Sequence, residues 1–310
     1  MKNSMKAIAG VAAGLAAMLA LTACGGGSSN PLGSGTSPTG SASPSGDIVI
    51  GSANFPESQL LGQIYYQALT DKGIKASQKP NLGSREIYFP AIKQGALDLL
   101  PEYTGSLLQY LDKTAPQVSS DDVYKALASA LPSNLIELDQ ASAQDADAVV
   151  VTKATADQYH AKSISDLAAH CGDLVFGGPP EFITRVDGIP GLKSKYNCTF
   201  KSYTQLNPGV VTATALKNGD VQAADIFTTD PSIQQYGFVA LSDPKNDFAA
   251  QNVVPIINKA KATDQVKQVL NAVSAKLDTK TLADLGAQLA SPSKPDVSTV
   301  AKQWLTSVGL

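Results

Sequence analysis

The feature that most constrains this chain is an internal repeat with a period of about 125 residues. Ile48-Val49-Ile50-Gly51 reads as a short strand closed by a glycine, and Leu174-Val175-Phe176-Gly177 repeats it 126 residues later. Ile92-Lys93-Gln94-Gly95 returns as Leu216-Lys217-Asn218-Gly219 at an offset of 124, and the same offset sets Tyr103-Thr104 against Phe227-Thr228. In the first copy, Leu60, Leu61, Ile64, Tyr65, Ala68 and Leu69 recur at helical spacing and Gly73 closes that helix. A second strand is expected over Ile74–Lys79, a second helix over Arg85–Gln94 and a third strand over Leu97–Leu100. The second copy offers a strand at Lys201–Tyr203 and a helix at Val210–Lys217. Short apolar runs alternating with helical periods are the pattern of α/β units. The chain is therefore expected to form two similar lobes, each an open α/β sheet with flanking helices.

In such sheets ligands sit beyond the carboxyl ends of the strands. Tyr103 and Phe227, each expected just after a third strand, would then face each other across a cleft, unless both rings are simply core. Residues 243–310 read as mainly helical, with Val266, Val269, Leu270, Val273 and Leu277 in one period and Val297, Val300, Ala301, Trp304, Leu305 and Val308 in another. If these helices return to the first lobe, the chain crosses twice, near Ala146–Ala148 and near Asp243–Gln251. That divides it into lobe I (47–146 plus 244–310) and lobe II (147–243). Two crossovers make a hinge that can close on a ligand.

The N-terminus has a separate task. Lys2 and Lys6 precede an uncharged stretch, Ala7–Leu21, that is shorter than the roughly 20 residues a membrane span needs. It reads as a signal peptide over 1–23. Leu21-Thr22-Ala23-Cys24 resembles a bacterial lipobox, which implies lipidation of Cys24; the alternative is an ordinary signal peptide with a chance cysteine. Gly25–Gly46 then holds 7 Gly, 7 Ser and 3 Pro in 22 residues without a charge. The segment 24–46 is expected to be a flexible tether reaching roughly 25 Å. Export to the outer face of the cytoplasmic membrane, with the lipid as sole membrane attachment, is the expected location.

Composition narrows the function. With 43% hydrophobic and 16% charged residues the chain is globular in type. Without its signal it carries 22 Lys+Arg against 27 Asp+Glu, which leaves no basic footprint for nucleic acid. In an oxidising compartment Cys171 and Cys198 are expected to form a disulfide closing a surface loop, contributing about 3 kcal/mol. His160 and His170 have no helical partner at metal-ligand spacing, and neither a metal nor a cofactor is called for. No Gly-x-Ser-x-Gly elbow, His-Glu-x-x-His helix or phosphate loop occurs in the folded part, which argues against an exported enzyme.

Five runs carry a resemblance to a known family: Gly51-Ser52-Ala53-Asn54-Phe55-Pro56-Glu57, Pro101-Glu102-Tyr103-Thr104-Gly105, Glu181 to Leu192, Ala215 to Asp220, and Thr228-Thr229-Asp230. Together they resemble the substrate-binding proteins of ABC importers for glycine betaine, choline, carnitine and related osmoprotectants. The resemblance implies a two-lobed periplasmic-binding-protein fold of the two-crossover type, no catalysis, and delivery of a small organic solute to an ABC permease and its ATPase. A monomer is expected. It also implies a box of aromatic rings for a trimethylammonium group, which cannot donate hydrogen bonds and is held by ring faces.

On that pattern Tyr103 is a cage ring, Arg185 meets a carboxylate or hydroxyl, and Ser106 supplies a hydroxyl where a threonine is usual. Asn54 and Thr228 complete the matched positions. Arg185 is one of only two arginines, with Arg85, beside 22 lysines, which marks it as a ligand candidate; the alternative is an ion pair with Glu181 or Asp187. The departures are equally specific. Ala53 stands where a lysine is common, Asp147 and Phe227 replace tyrosines, and Gln251 is the expected occupant of a further tyrosine's place. Asp147 would attract a cation by charge where rings have been lost. The expected ligand is a quaternary or other alkylammonium compatible solute; the alternative is the same fold around a polar amino acid or an aromatic compound.

Overall fold

The computed structural model describes Gly46–Leu310; the signal segment, Cys24 and the tether up to Ser45 lie outside the described residues. Ten strands form two five-stranded sheets. Chain order runs β1 (Ile48–Gly51), β2 (Ala76–Lys79), β3 (Leu99–Tyr103), β4 (Leu135–Glu137), β5 (Val149–Val151), β6 (Val175–Gly178), β7 (Ser202–Gln205), β8 (Ala223–Asp225), β9 (Val239–Ala240) and β10 (Val253–Asn258). The first sheet has the order β2-β1-β3-β10-β4 and the second β7-β6-β8-β5-β9. In each, three parallel strands meet one antiparallel strand that arrives from the other lobe: Val253 of β10 pairs with Tyr103, and Val149 of β5 pairs with Asp225. The two sheets thus repeat one topology and exchange their fourth strands.

The glycines of the sequence repeat have matched physical causes. A Cβ on Gly51 would stand 2.8 Å from the Leu100 side chain, and one on Gly177 would stand 2.8 Å from Leu206. Gly95 and Gly219 have φ of +79° and +80°, the left-handed conformation that stops a helix at low steric cost. The helices they follow run over Arg85–Lys93 and Val210–Asn218.

Each sheet is covered on both faces. On the first, the helix Pro56–Asp71 packs against the C-terminal helices Asp264–Ser274, Thr279–Leu289 and Val297–Val308, burying Leu60, Ile64, Leu270 and Trp304. The opposite face buries Phe89, Ile92, Leu107 and Leu127. Cys171 and Cys198 form a disulfide with a Cα–Cα distance of 5.4 Å. Both are 1% exposed and belong to the core beneath Phe176, so the bridge pins interior packing and not a surface loop as expected. Two other expectations shift in register: the third strand begins at Leu99 and includes Tyr103, and β7 extends to Gln205. Among the described residues no helix is long and apolar enough to cross a membrane, and no cluster of metal-ligating side chains occurs. His170 stacks on Tyr159, its ring centroid 4.4 Å away.

Candidate functional site

The carboxyl ends of β1 and β3 face those of β6 and β8 across a cleft. Alternation along β3 sends Leu99 and Tyr103 to one core and Leu100 to the other, so Glu102 is aimed beneath the helix Arg85–Lys93. Glu102 is fully buried and forks onto Arg85, with Nε 3.1 Å from Oε1 and Nη2 2.9 Å from Oε2. The Tyr88 hydroxyl donates to Oε1 at 2.9 Å and the Tyr103 amide to Oε2 at 3.2 Å. Both carboxylate oxygens of Glu102 are thereby satisfied.

Three rings close around the cleft floor. The helix Pro56–Asp71 starts with Pro56 at its first turn, a position suited to its fixed φ and missing N–H, and this sets Phe55 at the cap. The Phe55 ring lies 4.9 Å from Phe227 and 6.1 Å from Tyr103, centroid to centroid. The Tyr103 hydroxyl donates to Glu57 Oε1 at 2.5 Å, and Thr229 Oγ1 of the other lobe donates to Glu57 Oε2 at 2.6 Å. Burial pushes Glu57 above the usual carboxylate range, and the hydrogen bonds from Thr229 and Tyr103 offset that only in part. Burial and the Glu57 charge push Asp145 well above that range too.

The lobe II wall is different in chemistry. Asp147, Asp187 and Asp225 are 7%, 4% and 4% exposed. Among the described residues no lysine or arginine nitrogen lies within 4 Å of any of them. Asp187 Oδ2 and Asp225 Oδ1 have no hydrogen-bond partner. Burial and the charge of Asp147 push Asp225 well up and Asp187 up to about 6. Arg185 spends its fork elsewhere: Nε and Nη2 donate to Glu86 Oε1 and Oε2 at 3.1 and 3.2 Å, across the cleft mouth. Burial acts to raise Glu86, yet the Arg185 hydrogen bonds and charge hold it down at about 2.

Of the residues singled out in the sequence, Asn54, Tyr103, Ser106, Asp147, Arg185 and Phe227 all line this cleft. Two do not. Gln251 is 1% exposed and turned into lobe I, where its Oε1 accepts from the Ser106 amide at 2.9 Å and its Nε2 donates to Ser106 Oγ at 2.7 Å. It holds Ser106 in place and does not line the cavity. Thr228 faces the first crossover, donating to Asp145 and accepting from the Ala146 amide. The principal ion-pair partner of Arg185 is Glu86, a residue 99 positions away that local sequence could not suggest; Glu181 stands at 3.9 Å. Sequence reasoning missed Phe55, Glu57, Tyr88, Arg85 and Asp145. Arginine scarcity was a usable signal for Arg85, and the run Gly51 to Glu57 held Phe55 and Glu57 without a role for either, while nothing local marks Tyr88 or Asp145.

A family model for OpuAC, the substrate-binding domain of ABC-type glycine betaine transport systems, matches residues 46–307. The chain belongs to this family. It is the solute-binding component of an ABC importer, an extracytoplasmic protein that delivers a small solute to the permease and is not an enzyme. OpuAC relatives include the glycine betaine-binding protein YehZ of Escherichia coli, 28% identical over 88% of this chain and 93% of that protein. The ergothioneine transport permease/ergothioneine binding protein EgtU of Helicobacter pylori is 25% identical over 85% of this chain and 48% of its own length. The crystal structure of a glycine betaine/carnitine/choline ABC transporter protein superposes with a TM-score of 0.67 at 25% identity, covering 84% of this chain and 98% of that one.

Proposed function

We propose that this OpuAC-family protein captures a quaternary or other alkylammonium compatible solute and carries it to its permease. One observation carries the reading: both arginines of the cleft are already paired with carboxylates, whereas Asp147, which lines the cleft with Phe55, Tyr103 and Phe227, has no lysine or arginine nitrogen within 4 Å, nor do Asp187 and Asp225 beside it. A cation entering between Tyr103, Phe55 and Phe227 gains from the ring quadrupoles and from Asp147 at once. It also opposes the burial and the Asp147 charge that raise Asp225 and Asp187. Asn54, Ser106 and Arg185 supply polar contacts for the remainder of the ligand. The absence of a lysine at Ala53 favours a ligand less dependent on a carboxylate than glycine betaine. The name of the Helicobacter relative keeps the class wider than simple betaines.

The protein acts as a lipid-anchored monomer on the outer face of the cytoplasmic membrane, tethered through Cys24. Isothermal titration with glycine betaine, choline, carnitine, proline betaine and ectoine tests the ligand class. Micromolar or tighter binding of at least one quaternary compound is expected, and silence across the whole panel overturns the assignment in favour of a polar amino acid or aromatic ligand.

A further inference from the structure

Behind the Phe55–Phe227 ring pair lies a second cavity of about 190 Å³. Its far wall is apolar, made by Val210, Ala213 and Tyr236 of lobe II and by Leu289 and Ala290 of lobe I. Its near wall is shared with the main cleft, because Phe55, Phe227 and Asp145 line both spaces. Two features leave it incomplete as it stands. Ser232 is 7% exposed and its Oγ, at this cavity, has no hydrogen-bond partner, an unfavourable state for a buried hydroxyl. Val210, at the rim, is 75% exposed, although it begins a helix whose other apolar residues are mostly covered.

We infer that this second cavity is a side pocket for a ring-sized apolar substituent of an organic cation whose charged head occupies the main cleft. The inference rests on the cationic reading of the main cleft proposed above. Polarity favours that orientation: the carboxyls Glu57 and Asp145 stand at the junction, and the apolar residues lie beyond it. At about 190 Å³ the cavity is slightly larger than the roughly 150 Å³ of an apolar cavity that holds benzene, so it fits a single aromatic ring. Phe55 and Phe227 touch in this conformation, so the ring pair parts to admit the link between head and substituent. Because both lobes line the pocket, an occupant there strengthens closure as well as affinity.

The test compares tetramethylammonium, a head alone, with benzyltrimethylammonium, a head with one ring, by isothermal titration. The proteins are the natural sequence and Ala290→Trp, which fills the side pocket from an exposed helix-end position outside the main cleft. Thermal melting checks that the variant is folded. The benzyl probe is expected to bind the natural protein at least tenfold more tightly than tetramethylammonium. Ala290→Trp should erase that gain and leave tetramethylammonium binding unchanged. Equal binding of the two probes, or a ring gain that survives Ala290→Trp, overturns the side pocket while leaving the cationic cleft standing. Failure of both probes to bind the natural protein overturns the cationic cleft itself, and the side pocket with it.

Discussion

The two lobes share one topology but line the cleft with opposite chemistry. On lobe I, Glu102 receives Arg85, Tyr88 and the Tyr103 amide, and every partner is internal. On lobe II, Asp147, Asp187 and Asp225 crowd together with two carboxylate oxygens unpartnered. A satisfied buried network is rigid, and an unsatisfied one stores unfavourable energy. Lobe I supplies a preorganised aromatic wall, whereas lobe II gathers buried carboxyls on which Arg185, already paired with Glu86, acts only at a distance. Duplication of a fold thus does not require duplication of a binding surface.

The largest effect is expected from breaking the lobe I wall. Glu102→Gln leaves the Arg85 charge buried without its counter-ion, and removing one partner of such a pair costs about 3–5 kcal/mol. A urea titration should show the midpoint falling with an unchanged slope; an unchanged midpoint would mean that the wall is not held by this pair. Next come the cleft residues themselves. Tyr103→Ala on lobe I and Asp147→Asn on lobe II should each weaken ligand binding tenfold or more, about 1.4 kcal/mol, in a fold that melts normally. Normal binding by both variants would mean that the ligand sits elsewhere.

The smallest effect sharpens the contrast through pH. The carboxyl of Asp187 has been raised from 3.8 to about 6 by burial and by Asp147, so the folded protein holds this proton more tightly than the unfolded chain does. Its contribution to stability is therefore present at acid pH and is lost as pH rises from about 4 to 6. A bound cation pulls the other way and favours the ionised form. Affinity for a cationic ligand should accordingly rise a few-fold as pH climbs through about 6, and Asp187→Asn should flatten that rise. A pH-independent affinity in the natural protein would place the cation away from the carboxyl cluster.

The fold was legible because its constraints are local and doubled. Gly51 and Gly177 answer to the same crowding, and Gly95 and Gly219 to the same helix stop, so each copy of the pattern corroborated the other. The cleft was legible in part. Tyr103 ends β3, and Phe227, Asp147 and Arg185 sit at loop positions near strand ends. The partnerships were not legible, because they join distant segments. Arg185 meets Glu86 across 99 residues, and Thr229 meets Glu57 across 172. Gln251 shows the same limit: its side chain is bonded to Ser106, 145 positions away, and not turned to the cavity.

The exchange of fourth strands also sets an order of assembly. The lobe II sheet is complete once Val239–Ala240 has been made. The lobe I sheet is not, because β4 touches the rest of it only through β10, the last strand of the chain. During synthesis the earlier half must therefore wait with β3 as an open edge, and its helix Pro56–Asp71 waits longer still for Val297–Val308. An open apolar edge invites pairing with other chains. The half of the sequence that is read first becomes native last, and it is the half that needs protection on the way.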